Sequence, residues 1–134
     1  MKNFKIYIIT LITILAIDSV WLNFVANKLY KHEIGQLLAS SPNLLSGIIF
    51  YFVYALALVY LVLIPYFKDK KTNRLYIGAG LLALSSYGTF DLTNQAVMKN
   101  WPTLITIIDM SWGVVLTLTS TAIIIFAVSR LNKN

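Results

Sequence analysis

Three acidic residues, Asp18, Asp91 and Asp109, stand inside long apolar runs, and two of them repeat one spacing, Asp18-x-x-Trp21 and Asp109-x-x-Trp112. Residues three apart share a helix face, so each pair joins a carboxylate to an indole, a donor-only group suited to a carboxylate oxygen where water is scarce. On antiparallel helices the pairs become reciprocal, with Trp112 level with Asp18 and Trp21 level with Asp109. Around Asp91, Tyr87 one turn back and Asn94 and Gln95 one turn on add hydrogen-bonding groups. Carboxylates so placed take up and release protons, bind cations, or divide acid and base roles between them. No Lys or Arg interrupts the same runs, so either a proton or a cation has to share the negative charge. The plainer reading is three neutral acids that tie helices together by hydrogen bonds.

Other chemistry has little support. The chain has no cysteine, which removes thiolate nucleophiles, disulfides and thiolate metal sites. The single histidine, His32, adjoins Glu33 on a polar segment and reads as wet surface. Carboxylates alone would suit a hard cation rather than zinc, and neither a metal motif nor a cofactor motif is present. Ser19 and Ser111 each adjoin an aspartate but have no base in reach for a nucleophilic triad, and no Gly-rich phosphate loop occurs. Catalytic residues are therefore not assignable.

The elements that must hold the acids are helices in a membrane. Among 134 residues 58% are apolar and 12% charged, a balance that points to an integral membrane protein rather than a soluble domain. We expect an all-α fold, one transmembrane domain over residues 1–134, built as a four-helix bundle with helices at about 4–24, 44–67, 75–98 and 104–131. The first run resembles a secretory signal at its start but continues past signal length into Asp18 and Trp21, so it reads as an uncleaved helix. Residues 26–38 mix apolar and charged positions at helical spacing, as either a short interfacial helix or the solvated end of the first helix. Ser41-Pro42 reads as a cap followed by proline at the first helical position. Phe50, Tyr51, Tyr54 and Tyr60 form an aromatic stripe for packing on another helix. Gly78, Gly80 and Gly88, with nearby Ala and Ser, make the third helix the smallest-surfaced and the expected central one.

Charge sets the orientation. Lys2, Lys5, Lys68, Lys70, Lys71, Arg74, Arg130 and Lys133 fall on one side, and Lys28, Lys31 and Lys99 on the other. The excess places both termini in the cytoplasm. The net charge of +6 then faces anionic headgroups, with membrane lipids as partners and no nucleic acid. In this threading the acids share a layer. At 1.5 Å per residue Asp18 and Asp109 lie roughly 7 to 9 Å inside the outer helix ends, and Asp91 about 24 Å up from Leu75.

The chain also resembles, over nearly its whole length, a bacterial family of small four-helix membrane proteins catalogued as domain of unknown function 2177. The resemblance is carried by Asp18 with Trp21-Leu22, Tyr30 with Ile34-Gly35, Phe50-Tyr51 with Tyr54, Pro65, the block from Tyr87 to Asn94, Trp101-Pro102, and Asp109 with Trp112-Gly113. Phe90 stands where the family pattern would carry Tyr, and Asn23 where it would carry Gly. The resemblance implies four spans and a bacterial inner membrane, and it brings no activity with it.

Two functions remain open. One is an outward-facing site at Asp18, Asp91 and Asp109, with Trp21, Trp112, Asn94 and Tyr87, that binds or translocates a proton, a cation or a small cationic molecule, working as a homo-oligomer because four helices make a thin path. The other is a membrane enzyme that uses one Asp as general acid and another as base on a lipid or apolar substrate. The topology is testable independently of both. A cysteine placed beside Lys133 should resist impermeant thiol reagents added to intact cells; labelling from the periplasmic side would invert the assigned orientation.

Overall fold

The computed structural model describes residues 2–131, so Met1 and the C-terminal Lys133 counted above lie outside the described residues. Four helices run through it: α1 (Lys2–Leu37), α2 (Leu44–Asp69), α3 (Thr72–Val97) and α4 (Thr103–Leu131). The expected boundaries hold to within a few residues, apart from the C-terminal end of α1. Residues 26–38 are helical as far as Leu37 and continue α1, rather than forming a separate element. Three of the helices, α1, α2 and α4, are long and apolar enough to cross a membrane. The 26 residues of α3 also give length enough, about 39 Å, but Ser85, Ser86, Asp91, Asn94 and Gln95 dilute its apolar character.

The helix ends follow local chemistry. Asn43, not Ser41, caps α2, its side-chain oxygen accepting from the Ser46 N–H at 3.2 Å, and Pro42 stays outside the helix. The turn from α2 to α3 is shorter than the charge run implied. Lys70 takes a left-handed conformation at φ 57°, while the Asp69 carboxylate accepts from the Lys71 N–H at 3.0 Å and from Arg74 Nη1 at 3.1 Å. Asn100, at φ 61°, makes the corresponding bend before α4. With such short turns α2, α3 and α4 run antiparallel in succession.

Neighbouring helices pack in the order α1, α2, α3, α4 and back to α1, with α3 against α4 the most extensive contact. The expected central position of α3 needs correction. Ten residues of α4 are buried against five of α3, and α4 packs on both α1 and α3. The small residues of α3 instead serve close approach to α4, where Gly88 faces Met110 and the Tyr87 ring lies flat on Gly113. Polarity is arranged inside out. Large apolar side chains such as Phe24, Tyr60, Ile77 and Phe126 are exposed around the outside, while Thr10, Thr117, Ser120 and Thr121 are fully buried. An apolar exterior around a largely apolar core that also shelters these polar groups suits a lipid environment.

Two helices contain a widened π turn, at Leu22–Ala26 in α1 and Val59–Leu63 in α2. The second has a plain cause. Pro65 lacks an N–H and its ring would meet the carbonyl of Leu61, so the helix opens just before it. In the first, the Ser19 carbonyl accepts from the Asn23 side-chain amide at 2.7 Å.

The Gly113 contact yields a sharp expectation. A Cβ at Gly113 would stand 2.4 Å from a ring carbon of Tyr87. Gly113→Ala should therefore lower the unfolding midpoint, by an overpacking penalty of roughly 1 to 3 kcal/mol that outweighs the helix preference for Ala. Thermal unfolding in detergent checks this, and Tyr87→Leu in the same chain should recover most of the loss.

Candidate functional site

The three aspartates are nearly sealed from solvent, Asp18 at 5% exposure, Asp109 at 8% and Asp91 at 0%. Their surroundings differ. Asp18 accepts two hydrogen bonds, one from Trp112 Nε1 at 2.8 Å to Oδ1 and one from the Tyr51 hydroxyl to Oδ2. Donors from α2 and α4 thus converge on one carboxylate of α1. Asp109 accepts from the Tyr30 hydroxyl through Oδ1. Asp91 faces Asp109, close enough for the two carboxyls to share a hydrogen bond, yet neither of its oxygens has a donor among the described residues.

Half of the expected reciprocity is present. Trp112 reaches Asp18, but Trp21 does not donate to Asp109. Its ring stacks on Trp112 with centroids 4.4 Å apart and planes 7° from parallel, which turns the indole flat against its neighbour. Asp109 is met by Tyr30 instead. The widened turn in α1 explains how. On an unbroken α-helix the twelve steps from Asp18 to Tyr30 leave the two roughly 120° apart, and winding Leu22–Ala26 more loosely removes about a quarter turn. Tyr30 thereby returns to the face that carries Asp18.

Tyr87 stands among the acids, within electrostatic reach of both Asp18 and Asp109, and its ring meets that of Tyr54 edge-on at 6.3 Å. The Tyr54 hydroxyl pairs with Thr117 Oγ1 at 2.6 Å. The other two polar residues proposed around Asp91 do not join it. Gln95 turns outward to Thr103 Oγ1 at 3.2 Å, and half-buried Asn94 leaves both Asp91 oxygens without a donor. His32 and Glu33 pair with each other at 2.8 Å on the surface, as their polar setting implied. Among the described residues no three His, Asp or Glu side chains converge as metal ligands, since the acids divide into a close pair and a separate third.

A family model described as a predicted membrane protein family, DUF2177, matches residues 3–126, a stretch that includes all three aspartates and their donors. The chain belongs to the DUF2177 family. It is a membrane protein. No curated protein and no solved structure matches it. Tyr30 and Tyr51, which hold two of the acids in this DUF2177 chain, lay among the residues that carried the family resemblance, but their spacing alone gave no reason to place them on Asp109 and Asp18.

The two donors on Asp18 make a measurable pair. Tyr51→Phe and Trp112→Phe each remove one donor and keep an aromatic ring, and each should cost roughly 1 to 3 kcal/mol of stability. The double variant should depart from additivity, because both donors serve one carboxylate. Thermal unfolding of the four proteins in one detergent reads the coupling; strictly additive losses would mean that the two bonds act independently.

Proposed function

We propose that this chain crosses a bacterial inner membrane four times with both termini cytoplasmic, and that its Asp91 and Asp109 carboxyls form an outward-facing site which binds or translocates a proton or small cation. The observation that carries the reading is the pair itself. Asp91 is fully buried, both its oxygens lack a donor among the described residues, and another carboxyl, Asp109, faces it. Two bare carboxylates in that position would repel each other without solvent to screen them. One proton held between them, or a small cation in its place, removes the conflict.

The third acid has a different part. Asp18 is provided with two donors already, from α2 and α4, and through them it holds α1, α2 and α4 in register. Tyr30 fixes the Asp109 carboxyl from the outer extension of α1. Four-span threading is supported by the short turns at 70–71 and 98–102, by the length of α3, and by the distribution of Lys and Arg. Four helices leave a narrow interior, so work as a homo-oligomer belongs to the same proposal.

Asp91→Asn decides between exchange and simple helix bonding. The variant should fold, with stability changed by less than about 1 kcal/mol, as intramembrane hydrogen bonds average about 0.6 kcal/mol. The wild-type unfolding midpoint should move between about pH 5 and pH 8 or on adding monovalent cations, and this movement should vanish in the variant. Identical pH and cation responses in the two proteins would end the reading.

A further inference from the structure

At the end of the molecule opposite the aspartates, a half-open cavity of about 640 Å³ lies between the start of α1, the last turns of α2 and the start of α3. Its inner lining is apolar, with Ile6 buried and Ile64 and Phe67 half-buried. Its exposed margin is cationic, with Lys2, Lys68 and Arg74. One acid, Asp69, shares the margin and is already occupied by Arg74 at 3.1 Å and by the Lys71 N–H at 3.0 Å. Lys2 and Lys68 have no ion-pair partner among the described residues, so the margin keeps a surplus of positive charge. Lys70, in the same turn, does not line the cavity, its ammonium lying over the Tyr66 and Phe67 rings at 5.3 and 4.9 Å.

We infer that this cavity is a binding site for one anionic phospholipid, with the phosphate of the headgroup held by Lys68, Arg74 and Lys2 and the upper acyl chain against Ile6, Ile64 and Phe67. The volume lies within the roughly 300 to 1,000 Å³ range of small-molecule sites. The chemistry matches at both ends. A soluble anion would gain from the margin and nothing from the apolar lining, whereas a diacyl phosphate engages both. A zwitterionic lipid would fit the lining but place its own ammonium among the lysines. The site is independent of the aspartate pair and does not rest on its function.

Native mass spectrometry of the full chain released from mixed micelles tests the assignment, with phosphatidylglycerol and phosphatidylethanolamine of equal chain length as probes. Phosphatidylglycerol should be retained in preference, at one bound copy. At about a factor of five for each surface cation removed, Lys68→Gln should weaken retention roughly fivefold and Lys68→Gln with Arg74→Gln roughly twenty-five-fold. Lys70→Gln with Lys71→Gln removes the same charge from the same turn outside the cavity and should change retention little. The single variant leaves the Asp69 and Arg74 pair intact, so it decides the matter should the double variant fold poorly. Equal retention of the two lipids, equal losses in the two double variants, an unchanged Lys68→Gln, or displacement of phosphatidylglycerol by millimolar inorganic phosphate would each overturn the site.

Discussion

A carboxylate taken out of water with no cation beside it must be met by donors or by a proton, and the half of this protein that holds Asp18, Asp91 and Asp109 is arranged around that demand. An unmet buried donor or acceptor costs about 1 to 3 kcal/mol and an unmet charge more, comparable to a sizeable share of the stability of a small domain. Asp18 is answered by an indole and a phenol from two other helices. Asp109 is answered by a phenol from the far end of α1, while Asp91, which faces it, has no donor among the described residues. Each answer ties together helices that have no apolar preference for one another over lipid, so the polar contacts fix which faces meet.

Much of this was readable from residue types. The acids, the contact from Trp112 to Asp18 and the outlines of four helices follow from hydropathy, spacing and an antiparallel threading. The donors Tyr30 and Tyr51 did not follow, for a physical reason. Helix-wheel reasoning assumes one pitch throughout, and the loosened turn at Leu22–Ala26 breaks that assumption between Asp18 and Tyr30. Trp21 was misplaced because an indole can satisfy itself by stacking as well as by donating, and spacing does not say which. The same limit applies to α3: its small residues announced close packing, but close packing on one neighbour is not centrality.

The two ends of the molecule are built on opposite principles. At the aspartate end the polar groups face inward and are closed over by aromatic rings, which keeps the local dielectric low and lets each hydrogen bond count strongly. At the opposite end the charged groups face outward around an open cleft, where long lysine and arginine side chains remain hydrated while their stems rest on apolar surface. Between them lies a band of buried hydroxyls on α1 and α4, some bonded to backbone carbonyls of the preceding turn, as with Thr10 on Ile6 and Thr117 on Gly113.

The loosened turn in α1 makes the two parts of that helix separately phased. Deleting one residue between 22 and 26 would restore an ordinary α-helix and leave length and hydropathy almost untouched. It would also keep Tyr30 on the face that carries Asp18, because eleven steps of roughly 100° end within about 20° of three full turns. A single-residue gap is therefore absorbed inside this turn, whereas one elsewhere between Asp18 and Tyr30 would swing Tyr30 by roughly 100°. When related chains are aligned, a gap at 22–26 leaves the tyrosine that covers Asp109 in phase, and an alignment that slides the gap beyond Tyr30 misassigns that tyrosine.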